Sequence, residues 1–204
     1  METPAPDISQ DANVEITELD GRRRRSLNNR ARIVAAMLEL IRAGEISPSA
    51  EQVASSAQVS LRTVFGHFEN MESLYREMSS VIDAELKAAF LRPLSGNTWQ
   101  ERLEELIQRR ILVYEKIAPL RRASMALRHG SRFLEADHLR VTAQQREILR
   151  RVLPAHVVAD PLMFETLDLL LSYESLSRLR SEQNLSPAYT RDLLRTAAWR
   201  LIGI

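Results

Sequence analysis

An all-α fold of about nine helices in two parts is predicted by three features of this 204-residue chain. Apolar residues recur at spacings of three and four, no segment alternates β-branched with polar residues, and proline or glycine punctuates the periodic stretches. The length is enough for one medium domain, or for a small domain fused to a larger one. The absence of cysteine excludes disulfides, thiolate metal sites and cysteine nucleophiles, and suits a reducing compartment. No apolar run reaches the ~18 residues of a membrane span. The N-terminal region lacks the apolar core of a secretory signal, so the expected location is the cytoplasm.

The elements follow in order. Residues 1–27 are polar, contain Pro4 and Pro6 and show no period, which predicts a flexible tail. Its first twenty residues carry six acids and no base, and it ends in a basic arm, Arg22, Arg23, Arg24 and Arg25. Order is expected from Asn28, where Ile33, Met37, Leu40 and Ile41 share one helical face and Gly44 is the stop. The run "SPSAEQVASSA" announces a two-turn helix, with Ser49 as N-cap and Gln52 completing a capping box. Val59 is the inward plug before a third helix at 61–67. Asn70 caps a longer helix with Leu74, Met78 and Leu86 on one face, closed by Pro93 and Gly96. Amphipathic stretches at 98–118, 119–128, 131–153, 161–180 and 187–201 complete the chain. The last two open with proline behind a capping residue, Asp160 and Ser186, where the missing amide hydrogen costs nothing. The expected division is a tail at 1–27, a head at 28–75 linked by the helix from 70, and a second domain at 76–204.

Three short helices with a tight turn make a helix-turn-helix, whose last helix fits a DNA major groove. Val53, Ala54, Val59, Val64 and Phe68 recur as a small core requires. Ser60, Leu61, Arg62, Thr63, Phe65, Gly66 and His67 are left for the surface. Between Gly21 and Arg76 stand nine arginines against five glutamates, an excess that favours a polyanionic partner.

The run "SAEQVASSAQVSLRTVFGHFENMESLYREM" resembles the DNA-binding segment of the TetR family of bacterial transcriptional regulators. It has the Val-Ala pair of helix 2, a turn ending in Val-Ser, then Thr, an aliphatic residue, an aromatic ring and His-Phe. The resemblance implies that Ser49 caps helix 2 and offers a phosphate its amide or hydroxyl, and that Ser60 caps the recognition helix. It implies that Leu61, Arg62 and Gly66 lie near base edges, that Thr63 contacts backbone or base, and that His67 meets a phosphate. Three departures stand out. Gln58 replaces the usual turn glycine, Phe65 the usual tyrosine and Met71 the usual lysine. The last two remove phosphate anchors, for which the Arg22 to Arg25 arm is the expected compensation.

For the second domain the resemblance implies a homodimer on a palindromic double-stranded operator, acting as a repressor released by a small apolar or amphipathic ligand. The segment "LDLLLSYESL" is apolar nearly all round, so the dimer interface is expected at Leu167, Leu170 and Leu171, with Leu194, Ala197, Ala198 and Leu201 as a second stripe. Candidates for the ligand pocket are Trp99, Tyr114, Met125, Phe133, Phe164 and Tyr173. His129, His138 and His156 are spaced nine and eighteen residues apart and form no His-acid cluster, so no metal is expected, and no cofactor either. Without a glycine-rich phosphate loop, a nucleophile elbow or a His-acid cluster, no catalytic residue is expected and the chain does not read as an enzyme. Two alternatives remain open: an architectural or nonspecific DNA-binding protein, and a regulator signalled by a protein partner.

Overall fold

The computed structural model describes residues 8–203, with the backbone alone for residues 8–23, 85 and 87–91. The described residues contain ten α-helices and no strand. They run α1 (Ile8–Arg42), α2 (Ala50–Ser56), α3 (Leu61–His67), α4 (Met71–Leu91), α5 (Trp99–Leu127), α6 (Arg132–Val152), α7 (Ala155–Ala159), α8 (Pro161–Leu170), α9 (Tyr173–Ser177) and α10 (Pro187–Ile202). A 3₁₀ turn at Arg128–Gly130 follows α5 and a π turn at Arg178–Glu182 follows α9. No helix among the described residues is long and apolar enough to cross a membrane. The chain divides into two compact units, Met1–Met78 and Ser79–Ile204, and α4 contributes residues to both.

In the first unit, Ile33, Met37 and Ile41 of α1 are buried with Val53, Ala54, Val64, Phe68 and Leu74, as the spacing predicts, whereas Leu40 and Val59, expected with them, are only half-buried. The caps also match the sequence. Ser49 and Gln52 form a reciprocal capping box, and Asn70 accepts from the amide of Ser73 at 3.0 Å. Residues 8–27 differ from the expected tail, because they continue α1 toward the N-terminus. The physical reason is visible in the composition. No proline stands between Pro6 and the end of α1 at Arg42, and acids precede the arginines, the order that the helix dipole and i,i+4 pairing favour. Gly21, at a helical cost of about 1 kcal/mol, does not break it.

Arg30 ties the first unit together. Its Nη1 donates to the carbonyl of His67 at 2.8 Å, its Nη2 pairs with Glu77 at 2.8 Å, and its guanidinium lies 4.5 Å from the Phe68 ring centroid. One side chain on α1 thereby holds the C-terminus of α3 and the first turns of α4. Arg32 donates to the carbonyl of Ala57 at 2.6 Å and fastens the end of α2.

The second unit packs α5 against α6, α9 and α10, and α8 against α7 and α10. Leu103, Ile107, Leu149, Val157, Leu167 and Ala198 are fully enclosed in its core. The break expected before Pro119 is absent, since α5 runs through this residue. The proline leaves the Glu115 carbonyl without its usual amide donor, a cost of the order of 3 kcal/mol for an isolated helix. The helix nevertheless continues through it, and the Tyr173 hydroxyl donates to the adjoining Ala118 carbonyl at 3.1 Å. The stretch expected as one helix at 161–180 is instead two, separated at Leu171 and Ser172, where Ser172 caps α9. Gly96 is required by close approach: a Cβ there would stand 2.6 Å from Glu101 Cβ and 2.7 Å from the amide nitrogen of Arg102.

Replacing the tie should be costly, while loosening its exposed half should not. R30M is expected to destabilise the protein by about 2 kcal/mol, mostly through the lost charge-assisted bond to the His67 carbonyl. E77Q, which touches only a half-exposed ion pair, should cost under about 1 kcal/mol. Urea unfolding of both variants decides this, and equal costs would remove the tie from the argument.

Candidate nucleic-acid interface

The turn between α2 and α3 is built around Gln58, whose φ of 51° puts a non-glycine residue in the left-handed region. This is the conformation that a glycine would adopt without strain. The turn is closed by backbone bonds from the Gln58 amide to the Ser55 carbonyl at 3.1 Å and from the Val59 amide to the Ala54 carbonyl at 3.0 Å. It delivers Ser60 as the N-cap of α3, with its hydroxyl accepting from the Thr63 amide at 3.1 Å.

On α3, Val64 is buried and Phe68 follows it inward as the C-cap residue. The outward residues form two adjacent rows one helical turn long. Leu61 and Phe65, 37% and 48% exposed, make an apolar row, and Arg62 and Gly66 make the row beside it. Arg62 is exposed and has no hydrogen-bond or ion-pair partner among the described residues. A Cβ placed on Gly66 would meet nothing within 4 Å, so nothing inside the protein requires glycine there.

Other expected contacts are partly committed inside the chain. The Ser49 amide donates to the Gln52 side chain at 2.7 Å, and the Ser49 hydroxyl accepts from the Gln52 amide at 3.2 Å and is shared with the Glu51 carboxylate, so Ser49 is committed inside the chain. Glu51 stands in the same first turn, and the backbone amide bond and the Ser49 hydroxyl hold its carboxyl below the usual range. An ionised carboxylate at this helix end opposes a second anion. The Thr63 hydroxyl lies 2.8 Å from the Ser60 hydroxyl. His67 is half-buried, with its carbonyl taken by Arg30, and Met71 is half-buried at the start of α4. Arg24 and Arg25 are exposed on α1, with Arg22 and Arg23 on the same helix by backbone position. The arm is thus helical, and four consecutive helical residues are spread by about 100° each around the axis.

The chain is similar in fold to a crystal structure of a candidate transcriptional regulator from Streptomyces coelicolor A3(2). The two align with a TM-score of 0.58 and 23% identity, over 86% of this chain and 99% of that one. This likeness establishes an all-α fold shared with that protein. No family model matches the chain, and no curated protein does.

In the second unit the six pocket candidates fall into separate groups. Tyr114 and Tyr173 meet edge to face at 5.9 Å, with Arg121 lying 5.4 Å from the Tyr173 ring. Burial pushes both phenols up, so they stay protonated. Phe164 instead packs under Arg146 and Arg150 at 5.3 and 4.5 Å. Trp99 pairs with Trp199 at 6.1 Å, and Met125 and Phe133 are half-buried. No group of three or more metal-ligating side chains occurs among the described residues.

Within the protomer the expected dimer stripe divides into enclosed and half-buried residues. Leu167, Leu171, Leu194 and Ala198 are buried within the chain, and Leu170, Ala197 and Leu201 are only half-buried at its edge. The apolar residues left outward on α8 are Leu162 and Leu169, 78% and 66% exposed, with Thr166 between them. An apolar stretch that is hydrophobic all round buries its best-packed leucines in its own core first, and the spacing alone does not say which face remains.

Relieving the left-handed strain should stabilise the head. Q58G is expected to gain about 0.5–1 kcal/mol, the strain removed less the entropy that glycine adds to the unfolded chain. A denaturant midpoint unchanged or lowered in Q58G would count against a strained turn.

Proposed function

We propose that the chain is a sequence-specific DNA-binding transcriptional regulator of the TetR type, and not an enzyme. The observation that carries the proposal is the outward surface of α3: a free arginine, a two-residue apolar row and an unrequired glycine, on a helix set behind a strained helix-turn-helix turn. Arg62 reads a guanine edge, Leu61 and Phe65 press on thymine methyls and sugars, and Gly66 lets the groove wall come close. The likeness to the Streptomyces protein supports the regulatory reading, as does the TetR-like motif. In this reading the protein works in the cytoplasm as a homodimer on a palindromic operator, with heads about one turn of B-DNA apart. A small ligand in the second unit lowers operator affinity by favouring a shape whose heads no longer fit. The outer face of α8 supplies the two-fold contact.

A binding selection from random DNA should return a palindrome bound at least a thousandfold more tightly than unselected sequence. Uniform binding across the pool would instead favour an architectural protein. On the selected site, R62A should lose roughly tenfold to a hundredfold in affinity and relax discrimination at one position. G66A should raise stability by about 1 kcal/mol, as helix propensity dictates, and still bind DNA more weakly. Replacing Arg22 to Arg25 with alanine should flatten the slope of log K against log salt by about 1.8 if α1 stays helical on DNA, because only two of the four share a face. It should flatten it by about 3.6 if the arm unwinds along the backbone. No change at all would remove the arm from the interface.

The two-fold contact has its own test. L162E with L169E should convert a dimer to a monomer in sedimentation while leaving the helical content intact, since both side chains stand outside the protomer core. A dimer that survives both charges places the interface elsewhere.

A further inference from the structure

Arg110 stands on α5 in the core of the second unit and is 2% exposed. Its Nη2 donates to the carbonyl of Gln145 on α6, and its Nη1 reaches the Leu171 carbonyl at the end of α8 at a long 3.4 Å. Its Nε is buried and has no partner, and the side-chain Oε1 of the same Gln145 is also buried without one. Among the described residues no carboxylate pairs with Arg110. The acids of the neighbouring helices are committed elsewhere: Glu165 and Asp168 hold Arg146 at 2.7 Å each, Glu174 pairs with Arg121 and Glu115 with Arg180.

A guanidinium in the core without a counter-charge is costly, and replacing such a group by an apolar one of similar volume is commonly neutral or stabilising. Packing therefore gives no reason for arginine at this position. One turn further along α5 stands Tyr114, held neutral by burial and packed edge to face on Tyr173. Arg110 thus lies against Gln145 of α6 and within electrostatic reach of Tyr114, whose ring meets that of Tyr173 on α9.

We infer that Arg110 and Gln145 form a binding site for a small organic carboxylate with an apolar or aromatic tail. One carboxylate oxygen accepts from Arg110 Nε. The other accepts from the Gln145 amide, which presents its nitrogen when the side chain turns over. The tail lies toward Tyr114 and Tyr173. The site deepens the ligand half of the proposed function, and it rests on that reading only for the release from DNA.

The test is thermal unfolding of the full chain without DNA, so its failure is distinct from failure of the DNA-binding reading. Benzoate and hexanoate are compared with benzamide and hexanamide. The expected result is a Tm raised by about 5 °C or more at a hundredfold excess over Kd with at least one acid, and no comparable shift with its amide. R110M alone should melt at the same or a higher temperature than the parent and show no response to the acid. R110K, which keeps the charge but replaces the planar fork by a point charge, should need at least tenfold more acid for the same shift. The site is overturned if neither acid exceeds its amide, the outcome expected of a water bridging Arg110 and Gln145, or if the acid response survives in R110M. R110M that melts lower, with R110K responding as the parent does, overturns it too and makes Arg110 a clamp on the Gln145 and Leu171 carbonyls.

Discussion

A seven-residue helix has no stability of its own in water, and every reading of the first unit depends on what holds α3 in place. Its two apolar anchors, Val64 and Phe68, are enough to dock it but leave its rotation and tilt soft. Arg30 removes that softness by engaging the last carbonyl of α3, the ring of Phe68 and a carboxylate on α4 with a single planar group. Arg32 does the same for the end of α2. The outward side chains of α3 are therefore presented by a frame set by arginines of α1, whose cations face two carbonyls, a ring and one acid. The unpaired Arg62 stands outside that accounting, with its charge free for a partner.

Much of the head was legible in the sequence because its signals are local. The Ser49 to Gln52 capping box, the Ser60 and Asn70 caps and the spacing of Val53, Val64 and Phe68 each act within a few residues, and the structure carries all of them. The left-handed Gln58 was anticipated only through the resemblance, in which a glycine usually stands at that turn position. The role of Arg30 was not, because its three contacts come from residues 37 to 47 positions away and nothing in α1 distinguishes it from Arg32 or Arg42. The N-terminal extension was misjudged as irregular because it lacks an apolar period. The charge order and the lack of proline favour the helix there.

In the second unit the limits were of another kind. Helical spacing identifies an apolar face but not its neighbour, so Leu167 and Leu194 read as an interface while Leu162 and Leu169 took the exposed positions. Pro119 suggested a boundary that tertiary packing overrides. Arg110 goes unmarked in the sequence, and only the enclosure of its guanidinium distinguishes it from Arg109, which reaches out to Glu105 and the Arg92 carbonyl. Burial is a property of the assembled helices, and no window of sequence contains it.

The chain has two tryptophans, and both lie in the second unit with their rings 6.1 Å apart and Trp199 Nε1 bonded to Glu104 at 3.2 Å. They join the start of α5 to the end of α10. At that separation the two indoles exchange excitation and emit as one pair, and the first unit contributes no indole emission at all. Indole fluorescence of this protein, excited where tyrosine does not absorb, is thus a built-in gauge of the second unit alone.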